Sequence, residues 1–473
     1  MRYRHAIALA LIVAFPMRAS ELPDLGESAR TAFSEVQESR LGREIMQQIR
    51  ASRDYLDDAE ITDYLNAVGD RLVASSPSPY RHFEFFVVRD PTINAFALPG
   101  GYIGVHTGLI SATRNESELA AVLAHEIAHV TQNHIARMVD AQKTSGLASL
   151  AALAIAILAA RSNSQVSQAA VTLAGAMNVQ SQLDFSRDHE READRVGLQT
   201  LVQAGYAPAG MVSFFERLQA QGRLVETSAP AYLRTHPLTF QRIADMQNRV
   251  ADLPYRQHQD SLEFRLVRAR VWAGEGDAAR ALQAFEARAR SEADDIATWY
   301  GLALAALRAG QPGRAGQAVK RLDALGAQSP MVAGLAMEVE QALGQTDRAI
   351  ARGKTAIRRY SAHRPLAYTY ARTLIDAKQA AEALRFVDEQ LLTWPEDPAL
   401  YALKARAHSD LGQRMDAHLA QAEAHLRRGA VGAAIEQLQL AVRSGSGDFH
   451  KMSIAEARLR ELKALQQRET ARQ

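Results

Sequence analysis

The sequence contains no cysteine. Without cysteine the chain cannot form disulfide bonds, bind a metal through thiolates or carry a lipid on a cysteine side chain. A metal site would therefore have to use histidine and carboxylate ligands. The missing lipid anchor also favours a soluble chain after export.

An excess of charge of either sign is also missing. The 55 lysines and arginines against 53 aspartates and glutamates give a net charge of +2. A nucleic-acid-binding protein usually has a strongly basic surface, so we expect no nucleic acid as a partner. A chain of 473 residues that is 47% hydrophobic and 23% charged is not disordered, and it is long enough for two or three domains.

Long apolar runs are scarce, and the first of them, Ala6–Phe15, follows two arginines. This pattern predicts a secretory signal peptide over residues 1–19. Cleavage after Ala19 is expected, although Met17 is larger than the residue usually found at the −3 position. An uncleaved membrane anchor is the alternative, but about ten apolar residues are too few to span a bilayer.

The stretch Leu119–Arg137 places His125-Glu126-x-x-His129 within a predicted helix. A helix advances about 100° per residue, so the two histidines share a face and can bind one zinc ion. Glu126 lies next to that face, where a carboxylate can take a proton from the attacking water in peptide hydrolysis. Chance could produce the pattern, but the flanking residues are apolar. Burial of such a polar cluster costs several kcal/mol unless it is paired or binds metal.

Glu190 is the best candidate for a third ligand. It lies in a second predicted helix, Ser186–Gln203, where Asp194 follows one turn later on the same face. A carboxylate in that position can hold a ligand histidine by its free N–H, so Asp194 is predicted to support the site. The alternative is a charged, solvated helix, which this sequence alone would favour.

Two other histidines were weighed as ligands. His134 follows His125 by about 900° of helical rotation, which predicts that it points to the opposite side, so we exclude it from the metal site. His189 precedes Glu190 but points about 100° away, so it is a weaker candidate than the glutamate.

A small sheet is predicted before the zinc helix. Its strands are His82–Val88, Thr92–Leu98 and Tyr102–His106, the last two joined by Pro99-Gly100-Gly101. An edge strand beside the metal could pair with an extended substrate. Helical spacing of apolar residues predicts helices at Glu27–Arg50 and Asp57–Val73 before the sheet.

A second apolar region, residues 146–177, lies between the two ligand sequences. Two apolar stretches flank a short polar run, which predicts a helical hairpin. Each stretch is about fifteen residues or fewer, which is short for a membrane span. The hairpin could be a lid over the site, a contact with the membrane surface or part of the core, and the sequence leaves these three open.

From about Leu262 the sequence repeats. Alanines recur with a period of 34, at Ala281, Ala315, Ala349, Ala383 and Ala417. Glycine stands five residues before four of them, whereas Lys378 stands before Ala383. This is the tetratricopeptide period, and stacked helix pairs of this kind form a concave surface that suits protein ligands. A further, shifted repeat is expected up to Ser444.

Three sequences in this order resemble the HtpX-like and CAAX-prenyl-protease-like zinc peptidases. They are His125-Glu126-x-x-His129, Glu190-x-x-x-Asp194 and the stretch 94–101. The resemblance implies that one Zn²⁺ per chain is bound by His125, His129 and Glu190, with Glu126 as catalytic base and Asp194 assisting. It also implies that His236 can occupy the fourth zinc position and hold the enzyme latent.

The predicted fold class is α+β, a mostly helical zincin-like metallopeptidase domain with a small sheet, followed by an all-α repeat solenoid. The expected boundaries are 1–19 for the signal peptide, 20–255 for the peptidase and 256–473 for the repeats. The combination resembles periplasmic family members that act in outer-membrane β-barrel assembly, which implies partners among stalled outer-membrane proteins and the assembly machinery. Peripheral membrane contact is also considered. The alternative function is a chaperone-like scaffold whose metal site is mainly latent.

Overall fold

The computed structural model describes residues 34–76, 82–141, 186–224, 231–444 and 449–470. The predicted signal peptide and the apolar segment 146–177 lie outside these residues. Within them, no helix combines the length and apolar character needed to cross a membrane. A helical region with a small sheet is followed by helical repeats, which confirms the predicted α+β class.

The first part of the chain alternates helices with three short strands. Its elements are α1 Glu35–Ala51, α2 Ala59–Ala74, β1 Glu84–Val88, β2 Ala95–Leu98, β3 Tyr102–His106, α3 Thr107–Ala112, α4 Glu116–Thr131, α5 His134–Ala141, α6 Arg187–Gln203, α7 Ala209–Leu224, α8 Ala231–Thr235 and α9 Phe240–Ala251. Ser34 caps α1 by accepting the amide of Gln37, and the part of the predicted helix Glu27–Arg50 before Ser34 lies outside the described residues. Strand β2 begins later than predicted because Asp90 accepts the amide of Thr92 at 2.7 Å in a turn.

The sheet has the order β1-β3-β2, with β1 parallel and β2 antiparallel to β3. Gly100 and Gly101, with φ of 82° and 81°, form the turn between β2 and β3. The outer edge of β1 is partly covered, because Leu56 donates its amide to Val87 at 3.0 Å. Among the described elements the more open edge of the sheet is therefore that of β2, and β2 packs against α4.

Helix α4 lies at the centre of the first region and packs against α2, α6 and α7. Asn115 caps it by accepting the amide of Glu118 at 2.9 Å. The buried carboxylate of Glu118 pairs with Arg217 of α7 at 2.6 Å. The buried carboxylate of Glu116 accepts hydrogen bonds from Tyr64 of α2 and from Ser261. Polar contacts thus fix the start of this helix on several sides.

Helix α4 is shorter than the argument about His134 requires. It ends at Thr131, and Asn133 adopts the left-handed conformation with φ of 53° before α5 begins at His134. The prediction that one helix continues through His134 is therefore wrong. The rotation argument that placed His134 on the opposite side fails with it, because the turn redirects the chain.

The rest of the chain forms the repeat solenoid. Its helices are α10 Leu262–Gly274, α11 Ala278–Ser291, α12 Ile296–Arg308, α13 Pro312–Ala324, α14 Pro330–Ala342, α15 Thr346–Arg359, α16 Arg364–Asp376, α17 Ala380–Thr393, α18 Pro398–Asp410, α19 Arg414–Arg427, α20 Val431–Ser444 and α21 Phe449–Thr470. Helix α10 packs against α2 and α3, and Arg270 of α10 pairs with Asp58 at 2.7 Å. The first repeat is thereby joined to the helices that surround α4.

The turn within each repeat needs a left-handed residue. Gly276, Gly310, Gly344 and Gly412 have φ values of 57°, 68°, 73° and 74°. Lys378, which replaces the glycine of the fourth repeat, is held at φ of 62° in the same conformation. A side chain at this φ raises the energy of the backbone, whereas glycine has no such penalty.

Replacement of Lys378 by glycine should therefore stabilise the protein, by about 1 kcal/mol, because it removes this backbone strain. Urea unfolding of Lys378→Gly would measure the gain. Lys378→Ala is the control, since it removes the exposed side chain and keeps the strained backbone. An unfolding midpoint of Lys378→Gly no higher than that of Lys378→Ala would contradict the explanation.

Candidate metal centre

Four metal-binding side chains converge in the interior of the first region. His125 and His129 come from α4, Glu190 comes from α6, and His236 follows α8 directly. All four are buried, and one donor atom from each lies within 4.8 Å of the others. The three ligands predicted from the sequence thus lie together, and the residue that the resemblance added lies with them.

Most of the donor atoms lie 3.0–3.5 Å apart. The Nε2 atoms of His125 and His129 are 3.0 Å apart, and Nδ1 of His236 is 3.4 Å from Nε2 of His125. Glu190 approaches Nδ1 of His236 at 3.0 Å, Nε2 of His129 at 3.4 Å and Nε2 of His125 at 3.5 Å. Ligands about 2.0–2.2 Å from a tetrahedral ion are separated by about 3.3 Å. These spacings therefore fit a single ion of that kind.

The pKa values of the cluster residues are shifted in opposite directions. Burial tends to raise the pKa of Glu190, but His236, His125 and His129 hold it well below its usual range. Burial lowers the pKa of His125, yet hydrogen bonds to Asp194 and Glu190 outweigh it and raise that pKa to about 9. Burial lowers the pKa of His129 to about 3. An ionised carboxylate and a neutral imidazole therefore already face the centre of the cluster.

Glu126 lies beside the cluster and is completely buried. Its carboxylate makes no hydrogen bond of good geometry within the described residues, but the backbone amide of Ala97 lies beside it, and Oε1 is 3.5 Å from Nε2 of His236. Burial raises the pKa of this carboxyl group. A carboxylate that is kept dry and whose pKa is raised can accept a proton from a reacting group.

Asp194 and Arg242 make polar contacts with the residues of the cluster. Oδ1 of Asp194 lies 3.1 Å from Nδ1 of His125, as the sequence predicted for a supporting carboxylate. Arg242 of α9 donates to both oxygens of Asp194 at 2.7 Å and to the carbonyl of Pro237 at 2.8 Å, and it forms an ion pair with Glu190 at 2.7 Å. One guanidinium group therefore neutralises two buried carboxylates and holds the backbone next to His236.

Arg242 and Tyr232 contact the cluster but were not predicted from the sequence. Arg242 lies on the buried side of α9 together with Ile243 and Met246. A charged residue within that apolar stripe was the only sequence signal for it. The buried ring of Tyr232 stacks on His236, with ring centroids 4.6 Å apart. No residue spacing connects Tyr232 with α4, so the contact was not predictable.

His134 and His189 lie near the cluster but are not among its four donor groups. Nδ1 of His134 is 2.9 Å from Nδ1 of His129, on the side of the imidazole that faces away from the cluster. Nε2 of His134 is 3.2 Å from Glu192. The ring of His189 stacks on that of His134 at 4.5 Å. The prediction that placed His134 on the far side of the helix is thus wrong, because His134 contacts His129.

A buried His/Glu donor set with an adjacent buried glutamate, on helices beside a small sheet, defines a metallopeptidase. The sequence profile of peptidase family M48 matches residues 60–250, and a tetratricopeptide repeat profile matches residues 341–407. The β-barrel assembly-enhancing protease of Escherichia coli (strain K12) is 32% identical over 459 residues, which are 96% of this chain and 94% of that protein. The chain therefore belongs to the family of β-barrel assembly-enhancing proteases.

Two further comparisons cover parts of the chain. The mitochondrial metalloendopeptidase OMA1 of Schizosaccharomyces pombe is 36% identical over 187 residues, which are 39% of this chain and 52% of that protein. Among solved structures, MamA 41-end from Desulfovibrio magneticus RS-1 matches 36% of this chain and 96% of its own, with 19% identity and a TM-score of 0.28.

Loss of Arg242 should destabilise the protein strongly. Arg242→Leu would leave Asp194 and Glu190 buried without their cation, which costs about 3–5 kcal/mol. Urea unfolding in the presence of a chelator would measure the loss without a contribution from bound metal. Arg249→Leu on the same helix is the control, because its pair with Asp245 is about half exposed and should be worth less than about 1 kcal/mol. Equal effects of the two substitutions would contradict the role given to Arg242.

Proposed function

We propose that this protein is a zinc-dependent endopeptidase. The observation that carries the proposal is the convergence of buried donor atoms of His125, His129, Glu190 and His236 within 4.8 Å of one another, with the buried carboxylate of Glu126 beside them. Zinc is the metal that best fits three imidazoles and one carboxylate in this geometry. The proposed ligands are His125, His129 and Glu190, and the proposed catalytic base is Glu126.

Bound zinc would supply a Lewis acid that polarises the scissile carbonyl group and makes water more acidic. Glu126 would take the proton from the attacking water and deliver it to the leaving nitrogen. Its burial suits it to this role, because a raised pKa lets a carboxyl group both accept and return a proton. Asp194 would keep Nδ1 of His125 protonated, so that Nε2 of that histidine presents its lone pair to the metal.

The open edge of β2 is the proposed binding site for an extended substrate. Strand β2 packs against α4, and the backbone of Ala97 lies beside Glu126. A substrate strand that adds to this edge would bring its main chain across the metal site. Such binding holds the substrate through its main-chain hydrogen bonds and needs no free chain end, which supports endopeptidase activity.

Glu126→Gln should abolish proteolysis and leave about one zinc ion per chain, because it removes the base and no ligand. His125→Ala or Glu190→Ala should lower bound zinc to well under one per chain, since too few protein ligands remain. Metal analysis of the purified variants, together with cleavage of an unfolded protein substrate, would test both statements. Full zinc occupancy in Glu190→Ala would show that another residue is the third ligand.

His236 supports a second property, a latent resting state. Its Nδ1 lies 3.0 Å from Oε1 of Glu190 and 3.4 Å from Nε2 of His125, close enough to share a metal ion with them. Tyr232 stacks on its ring, and Arg242 holds the carbonyl of the next residue. We propose that His236 is a fourth ligand that must leave before cleavage. The same geometry favours the alternative function, a chaperone-like scaffold with a mainly latent metal site.

His236→Ala should raise proteolysis, including self-cleavage, because it opens the fourth position to water. Incubation of the purified variant, followed by electrophoresis and mass spectrometry of the fragments, would measure it. The double variant that also carries Glu126→Gln is the control and should show no proteolysis. If His236→Ala matches the unchanged chain in activity and in zinc affinity, His236 is not a switch.

We also propose a cellular role, in the quality control and assembly of outer-membrane β-barrel proteins. The names of its relatives support this role, as does the arginine-flanked apolar run of residues 6–15, which favours export to the periplasm. In this proposal residues 20–255 form the peptidase domain, and residues 256–473 form a repeat domain that recruits substrates or the assembly machinery. A concave array of helix pairs suits such recruitment.

A further inference from the structure

The two histidines of α4 turn their second ring nitrogens away from the donor cluster. Nδ1 of His125 meets the carboxylate of Asp194, which is bound by Arg242. Nδ1 of His129 meets Nδ1 of His134 at 2.9 Å. The first arrangement follows the common pattern in which a carboxylate orients a ligand histidine. The second uses an imidazole in place of the carboxylate.

The turn after α4 creates this contact. Asn133 with φ of 53° ends the run of α4 and starts α5, so that His134 returns to the side of α4 that carries His129. The side chain of His134 is completely buried. Its Nε2 is 3.2 Å from Glu192 of α6, and Glu192 is 2.8 Å from Arg137 of α5. Both nitrogens of His134 therefore have polar partners.

The proton positions along this chain follow from the first one. Metal binding through Nε2 of His129 requires the lone pair there, so the proton of that ring lies on Nδ1. Nδ1 of His129 then donates, and Nδ1 of His134 must accept. The proton of His134 lies on Nε2 and is donated to the carboxylate of Glu192. Every group has the donor or acceptor that its neighbour needs.

We propose that His134 is a positioning residue that holds His129 in its metal-binding tautomer and orientation, with Glu192 and Arg137 as its support. This inference rests on the proposed metal site. In it, His134 does for His129 what Asp194 does for His125. Helix α6 would then support the metal twice, because it supplies Glu190 to the cluster and Glu192 to the histidine behind it.

A packing role is the competing explanation, because the ring of His134 stacks on His189 with an interplanar angle of 18°. His134→Phe separates the two explanations, since phenylalanine keeps the ring and the stack but cannot accept a hydrogen bond. His134→Asn is the rescue variant. The amide oxygen of asparagine can take the position of Nδ1 and accept the proton of His129.

The test is zinc affinity, measured by competition with a chelator on the full chain, together with the visible spectrum of the cobalt-substituted protein. His134→Phe should weaken zinc binding about 10–100-fold and alter the cobalt spectrum. His134→Asn should recover most of the affinity. His189→Phe is the matched control, because it changes the other ring of the stack and leaves the contact with His129 intact. Circular dichroism of each metal-free variant would check folding.

Three outcomes would overturn the proposal. Unchanged zinc affinity in a folded His134→Phe protein would exclude a positioning role. Equal losses in His134→Phe and His189→Phe, without rescue by His134→Asn, would assign His134 to packing. Absence of zinc and cobalt binding by the unchanged chain would overturn the proposed function together with this inference. If the unchanged chain binds zinc tightly, the results for the variants concern only the role of His134.

Discussion

The structure depends on the cost of bringing polar groups together without water. Three imidazoles and a carboxylate bring one polar atom each to within 4.8 Å of the others, and all four groups are buried. Such an arrangement is unfavourable unless a cation lies between the donors. The centre is therefore a place where the fold accepts a local cost in order to bind metal. The other features of the first region can be understood as ways to keep these groups aligned and dry.

Alignment comes from elements that are far apart in the sequence. Helix α4 supplies two ligands in fixed register, and its start is held by the buried carboxylates of Glu116 and Glu118. Arg242 joins the third ligand, the partner of His125 and the backbone next to His236. A movement of α9 would thus reach the ligand set and the proposed latent ligand together. The first helix of the solenoid packs on α2 and α3, so a partner on the repeats has a physical connection to this region.

Features set by local spacing were predictable from the sequence, whereas those set by tertiary contacts were not. The i,i+4 spacing placed His125 with His129 and Glu190 with Asp194, and the period of 34 located the repeat turns, including the one at Lys378. The place of His236 at the site was implied only by the family resemblance. Arg242 and Tyr232 were missed because the elements that carry them meet α4 only in the folded chain. The place of His134 was misjudged because one left-handed residue, Asn133, ends the helix, and asparagine alone does not reveal that.

The central claim is that one zinc ion lies among His125, His129, Glu190 and His236 in the resting protein. A crystal structure with anomalous diffraction recorded on both sides of the zinc absorption edge tests it most directly. We predict one strong anomalous peak per chain at about 2.0–2.2 Å from a donor atom of each of these residues. A zinc-loaded crystal that shows no peak there, or a peak held by other residues, would contradict the account.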